Sequence, residues 1–503
     1  MYRYQAKSSY KKGNSVPRPL NSKSTKIVAT LGPASRDPEI IRQMLRAGMD
    51  VARINFSHGD HETHGKAIEA VRKIAAEEGI NVAILCDIQG PKIRIGTVAN
   101  EPLMIKTGDT ITFTLDDVPG EDGLISLPHP EFMQDLSAGS TLLLDDGNLQ
   151  MTVTETSARQ VRCEVVIGGP LTSRKGVSAP DATLTLSAIT EKDRADIEFA
   201  LSQDTDYIAM SFVRKADDIR QLKWLMNFFN GDAAIIAKIE MREALENIEE
   251  IIALCDGIMV ARGDLGVETP AERVPLEQKR IIQLCNAAAK PVITATQMLE
   301  SMKSNPRPTR AEASDVYNAI LDGTDAVMLS AESAAGKFPV RAVEVMANIA
   351  ITAEKEIGNQ RNDRYVFDVA ETTTVNHETV SNAIGEATFH ISEALHPTAI
   401  ITTTLSGYTA RRVARERPTT PILCMTPVER TYRRMALVWG VHAFHVASFN
   451  TVDEMIIVTV RAAHDAEHVH RGDLLVIIAG VPFGIAGQTN FLKVHRVGEQ
   501  GEI

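Results

Sequence analysis

Two short segments of this chain carry reactive side chains in matched pairs. AKIEM places Lys238 and Glu240 two residues apart, and ARGDLG does the same for Arg262 and Asp264. Each pair closes an apolar run, AAIIA or DGIMVA, of the kind that forms a buried β-strand. Side chains two apart on a strand project to one face, so each pair is expected to point one way. Two carboxylates from neighbouring strands can chelate a hard cation such as Mg2+, which takes oxygen ligands and leaves positions open for substrate. A lysine beside that cation suits a site that handles phosphate. Strand-end salt bridges are the plainer reading of either segment alone. Repetition on two successive strands favours a site.

These strands belong to a longer rhythm. From Thr25, apolar runs alternate with helically spaced segments: TKIVATL, MDVARINF and NVAILCD come first, and DYIAMS, AAIIAKIE, DGIMVA, KPVITAT and DAVMLS follow after an interruption. Strands alternating with helices imply a parallel sheet, and eight such units are the number for a (β/α)8 TIM barrel. The interruption, about Gly90 to Leu186, holds short turn-bounded alternating runs and reads as an inserted β-barrel-like lid domain (90–186). The barrel is therefore expected over 24–89 and 187–358. Polar residues cluster at the C-terminal strand ends: Arg53, Asn55 and Ser57, then Asp87, Ser211, Lys238 and Glu240, Arg262 and Asp264, Thr294 and Thr296, Ser330 and Glu332. That is the functional end of such a barrel, and the opposite ends are expected to be mostly plain. After a polar stretch beyond Gly358, residues 359–503 alternate again and read as an open α/β domain.

The chain has 503 residues, too many for one core, and its 44% hydrophobic and 23% charged residues are those of a soluble globular enzyme. A net charge of -12 argues against nucleic acid or an anionic membrane as partner. No apolar run approaches the roughly 20 residues that span a bilayer. Five scattered cysteines with no C-x-x-C fit a reducing, cytoplasmic compartment and no zinc site. Residues 1–23 contain Lys and Arg but no acid, and read as a loose basic tail without a secretory core. No P-loop pattern is present, so phosphate chemistry here is of another type.

AKIEM, VARGDLGVE and KPVITATQMLESM resemble the signature segments of pyruvate kinases, and the resemblance extends over essentially the whole chain. It implies transfer of the phosphoryl group of phosphoenolpyruvate to ADP, giving pyruvate and ATP, with Mg2+ or Mn2+ as cofactor. By matching segments, Glu240 and Asp264 would hold the divalent cation, while Lys238 and Arg53 would grip the phosphoryl group. The backbone amides of Ala261, Arg262 and Gly263, at a helix start, would take the substrate carboxylate, with Ser211 close by. Thr296 matches the threonine beside the face where the enolate is protonated, and Ser330 with Glu332 would order a water relay. Pro33, Asn55, His58, Arg94 and Lys175 match positions around the nucleotide, and the inserted domain would close as a water-excluding lid.

The resemblance also predicts control. TTTLSGYTARR supplies Thr402, Thr403, Thr404, Ser406, Gly407 and Thr409 where a strand turns into a helix, a setting suited to an anion. Regulated pyruvate kinases have an effector loop there, so a phosphorylated sugar or AMP and a homotetramer are expected, with VPFGIAGQTN as the second wall. One segment departs from the familiar pattern. Many pyruvate kinases hold K+ with groups matching Asn55, Ser57, Asp87 and the Ile88 carbonyl, with a glutamate nearby. Here DIQGPKIRIG puts Lys92 in that glutamate's place, and Ile88, Gln89 and Ile95 also differ. The tethered ammonium is expected to fill the monovalent-cation position, so that K+ is not required. Two other functions share parts of this pattern: a metal-dependent pyruvate-enolate aldolase or lyase on the same barrel, and a catalytically inactive sugar-phosphate-binding regulator. The first would not need Lys238, the lid or a nucleotide site. The second would be expected to have lost Lys238 or a metal ligand.

Overall fold

The computed structural model describes residues 23–359, 377–485 and 487–503. The basic tail, apart from Lys23, and most of the polar stretch after Gly358 lie outside the described residues. Eight parallel strands close into a barrel: β1 (Lys26–Leu31), β2 (Val51–Asn55), β3 (Ala83–Ile88), β4 (Tyr207–Met210), β5 (Ala234–Ile239), β6 (Gly257–Ala261), β7 (Val292–Ala295) and β8 (Ala326–Leu329). Each strand pairs with the next and β8 returns to β1, as the strand-helix rhythm requires. The strands are apolar on both faces. One face fills the barrel with Val28, Leu85, Ile236, Met259 and Ile293, and the other packs under the surrounding helices. Those helices start where the sequence provides caps. Asp37 precedes Pro38 and accepts the Glu39 and Ile40 amides, while Thr190 with Asp193 and Thr309 with Glu312 form capping boxes.

The segment between β3 and β4 folds as a six-stranded sheet and a two-stranded ribbon. It has its own core around Phe113, Phe132 and Met151, separate from the barrel cores. Strands Leu149–Thr156 and Gln160–Ile167 alternate buried and exposed residues, the period-2 signature seen in the sequence. In the C-terminal domain, β9 (Ala399–Thr403), β10 (Ile422–Thr426), β11 (Val441–His445) and β12 (Leu474–Ala479) are parallel, in the order β11-β10-β9-β12. A last strand, β13 (Phe491–Arg496), runs antiparallel along β12.

The base of the barrel corrects one expectation. It is not plain: Asp50, Asp206, Asp256 and Asp325 precede the even-numbered strands β2, β4, β6 and β8. Each carboxylate accepts a backbone N–H from the start of the odd-numbered strand beside it, at Ile27, Ile84, Ile235 and Val292 respectively, all at 2.8–2.9 Å. Two of these aspartates, Asp206 and Asp325, also receive arginines of the C-terminal domain. Arg433 donates to Asp206 at 2.7 Å and to Asp204 at 2.6 Å, and Arg417 lies 3.1 Å from Asp325. Ala436 and Leu437 enter the interior cluster of the barrel and plug its floor. Burying Leu437 stabilises this docking by about 2 kcal/mol. Polarity at this end therefore serves construction, in keeping with the structural role of the N-terminal face of such a barrel.

Candidate active site

Lys238 is the hub of the C-terminal barrel end. Its ammonium donates to Ser211 Oγ at 2.6 Å and lies 2.9 Å from Glu240 Oε1 and 3.2 Å from Asp87 Oδ1. The two-residue period of β5 does bring Lys238 and Glu240 to one face, as expected. Arg53 completes the cluster: its Nε and Nη2 converge on Asp87 Oδ2, each at 2.7 Å, and its Nη1 donates to Thr30 Oγ1 at 2.8 Å. All four ionic groups are nearly sealed from solvent. Burial opposes each charge, but the partners decide the outcome. Lys238 and Arg53 hold the Asp87 carboxyl below its ordinary value, and Asp87 with Glu240 lift Lys238 above that of a free lysine. Glu240 moves the other way. Burial and the nearby Asp264 raise it, although Lys238 and the Phe212 N–H, which donates at 2.7 Å, favour its charge.

The nearby Asp264 helps to raise Glu240, so a cation between these two carboxylates would relieve their repulsion. This donor set fits Mg2+ or Mn2+, with oxygen ligands only and further positions left for substrate. Among the described residues no cluster of three or more His, Cys, Asp or Glu forms a closed metal cage.

The second pair behaves differently from the expectation. β6 ends at Ala261 and a helix runs over Arg262–Glu268, so the spacing of Arg262 and Asp264 is helical and they do not share a face. Arg262 turns to Asp315, with Nη1 and Nη2 each 2.7 Å from a carboxylate oxygen, and Nη2 also donates to Thr296 O at 2.9 Å. Asp264 stays near the site, where Lys92 Nζ approaches its Oδ1 to 3.6 Å. Of the three amides proposed for a carboxylate, Gly263 N–H donates to Thr296 Oγ1 at 2.7 Å. Thr296 itself has φ +68, rare for a β-branched residue and a mark of stored strain. Thr294 faces away and bonds to Thr324 at 3.0 Å. Glu332 is fully buried, and burial raises it despite the amides of Ser330 and Leu299, which donate to it at 2.8 and 3.1 Å.

The groups assigned to the monovalent-cation position are brought together but are engaged internally. Register pairs Asn55 with Asp87. Asn55 Oδ1 accepts the Ser57 N–H at 3.1 Å, the Ile88 carbonyl accepts Ser211 Oγ–H at 2.7 Å, and Asp87 is held by Arg53 and Lys238. Lys92 pairs with Asp264 rather than with Asp87. Of the nucleotide positions, Pro33 and His58 are exposed. Arg94 and Lys175 lie together in the lid, where Arg94 bridges Gly176 and Lys175 pairs with Asp145 at 2.5 Å. In the C-terminal domain, Thr402, Thr403 and Thr409 are buried, and Thr409 bonds to Thr489 of the expected second wall at 2.9 Å. Thr404, Ser406 and Gly407 remain at the turn.

Sequence reasoning missed Thr30, Phe212 and Asp315. Arg262 and Asp315 stand 53 residues apart, and no local spacing links them. A phenylalanine following a strand-end serine likewise carries no chemical signal.

Comparison with known proteins agrees with this geometry. Residues 22–343 match the family model described as the pyruvate kinase barrel domain, and 382–495 match the pyruvate kinase alpha/beta domain. A pyruvate kinase of Geobacillus stearothermophilus is 47% identical over 481 residues, covering 95% of this chain and 81% of the relative. One from Clostridium perfringens is 42% identical over 475 residues, covering 94% of this chain and 99% of the relative. The crystal structure of a pyruvate kinase from Cryptosporidium parvum superposes with a TM-score of 0.85 at 35% identity, over 95% of this chain and 97% of that one. Fold and site thus define a phosphotransferase built on a (β/α)8 barrel. The chain belongs to the pyruvate kinase family.

Proposed function

We propose that this chain transfers the phosphoryl group of phosphoenolpyruvate to ADP, giving pyruvate and ATP in the last step of glycolysis. The observation that carries the reading is Lys238, held between Asp87, Glu240 and Ser211 with Arg53 beside them. Phosphoryl transfer needs positioning and fixed positive charge more than covalent help, and these two cations are preorganised. Glu240 and Asp264 would hold Mg2+ or Mn2+, which when bound supplies Lewis-acid polarisation of the substrate oxygens. Lys238 and Arg53 donate to the transferring group, the latter as a planar fork. The amides heading the helix at Arg262–Glu268 orient the carboxylate. Thr296 lies beside the face where the enolate is protonated, and Ser330 with Glu332 orders the water relay. The lid brings Arg94 and Lys175 to ADP bound near Pro33, Asn55 and His58, and excludes water.

Lys92 provides monovalent charge at this end of the site, so K+ is not required. The turn at Thr404, Ser406 and Gly407 takes a phosphorylated sugar or AMP, and the enzyme acts as a cytoplasmic homotetramer. Among the described residues no helix is long and apolar enough to cross a membrane. The aldolase and inactive-regulator readings gain no support from a site in which Lys238, Glu240 and Asp264 are all present. Pyruvate formation from phosphoenolpyruvate, assayed with and without ADP and Mg2+, tests the proposal. Product that forms equally well without ADP would overturn it.

A further inference from the structure

Phe212 has no charge and no place in the chemistry above, yet its backbone is strained. Its φ is +53, a left-handed conformation that is a genuine outlier for a bulky residue. Such strain persists only where the surroundings enforce it, at a cost of order 1–3 kcal/mol. Three contacts enforce it here. The Phe212 N–H donates to Glu240 Oε2 at 2.7 Å, the oxygen that Lys238 leaves unused. The preceding Ser211 is bound through its hydroxyl by Lys238 and in turn donates to the Ile88 carbonyl. On the other side lies Gly90, the first residues of the lid connection, where φ is +68. A Cβ on Gly90 would stand 2.9 Å from Phe212 Cδ2 and 3.2 Å from both Ser211 Cβ and the Ser211 carbonyl oxygen. Gly90 is fixed in turn by its N–H to Asp193 at 3.0 Å, and its carbonyl accepts the Lys92 N–H at 2.9 Å.

The Ser211–Phe212 peptide is thus clasped between the root of the lid and a carboxylate of the metal site. We infer that Phe212 is a positioning residue: it ties the lid connection at Gly90 to Glu240, so that displacement of the connection alters the hydrogen bonding of a metal-binding carboxylate. The ligand concerned is a divalent cation, and the inference rests on the assignment of Glu240 as a metal ligand. A ring that merely filled space would show no such link. Partners that orient a ligand typically change metal affinity by about 10- to 100-fold when lost.

The test is a double-mutant cycle on the full-length enzyme, reading Mn2+ affinity from the electron paramagnetic resonance of free Mn2+ with no substrate present. Gly90→Ala should weaken Mn2+ binding about tenfold, by pressing on the ring and drawing the Phe212 amide off Glu240. In the Phe212→Ala background the same change should weaken it less than about threefold, because the nearest obstruction is gone and only the 3.2 Å contacts with Ser211 remain. Equal weakening in both backgrounds, or none in either, would overturn the coupling. If Gly90→Ala does not fold, Phe212→Gly carries the test: release of the left-handed strain should leave the melting temperature unchanged or higher while Mn2+ binding weakens. Unaltered Mn2+ binding in that variant overturns the inference. Glu240→Gln separates the two readings, since full Mn2+ affinity there would overturn the metal assignment itself.

Discussion

The ammonium of Lys92 lies 3.6 Å from Oδ1 of Asp264, so a residue at the root of the lid faces a carboxylate on the barrel. Two unit charges about 4 Å apart interact by roughly 4 kcal/mol at an effective dielectric near 20. The side chains are 32% and 37% exposed, so the net effect here is smaller. Its sign is clear: Lys92 adds positive charge beside Asp264, and the proposed replacement of a monovalent ion by this tethered ammonium rests on that charge.

The unmodified enzyme should therefore be fully active in tetramethylammonium buffer without K+, and Lys92→Glu should acquire a K+ requirement. Steady-state assays across a K+ titration check both. Several-fold stimulation of the unmodified protein by K+ contradicts the assignment.

Lys238→Met should lower turnover by about three orders of magnitude, since one preorganised donor to the transferring charge is worth about that much. It also removes the cation shared by Asp87 and Glu240, leaving buried carboxylates less compensated, at a cost on the order of 3 kcal/mol. Turnover and thermal unfolding should fall together, while a circular dichroism spectrum reports an intact fold. Unimpaired turnover would remove Lys238 from its role.

Glu268 supplies a pH dependence. It is 7% exposed, and burial, reinforced by Asp181 and Asp264, raises its carboxyl to about 7 from an ordinary value of 4.5. The protonated form is the one the fold favours. Its contribution is complete below about 4.5 and is lost as pH rises through about 7, to a total of about 3 kcal/mol. Glu268→Gln should therefore melt higher than the parent at pH 8, and the difference should shrink as pH falls toward 5. A gap independent of pH would show that the carboxyl is not protonated by burial.

The turn proposed to take an effector is constrained by packing. Gly407 has φ +80, and a Cβ there would collide with Met435 Cε and stand 2.9 Å from Arg411 Nη1. Gly407→Ala should distort the turn, and Ser406→Asp should repel an anion from it. Both variants should lose any shift in phosphoenolpyruvate saturation caused by sugar phosphates or AMP, with turnover at saturating substrate preserved. If no such ligand shifts the parent's curve, the effector reading fails.

Much of this protein was legible in its sequence. Strand and helix periods are local properties, so the alternation of apolar runs exposed the barrel, the inserted β unit and the C-terminal sheet. The period of β5 likewise fixed the shared face of Lys238 and Glu240. What lay beyond reach depended on where an element stops and on what closure brings near. Arg262 falls one residue after β6 ends, where the period changes from 2 to 3.6, and so it turns away to Asp315. The base aspartates looked unremarkable singly. Only barrel closure sets each beside the neighbouring strand's first amides, and only domain docking sets Asp206 and Asp325 beneath arginines of the C-terminal domain. Lys92 meets Asp264, and Gly90 meets Phe212, because the lid root folds back over the barrel rim. Those partners are distant in sequence, and no spacing rule encodes them. The residue types came from the sequence; which charges face each other was decided by the tertiary structure.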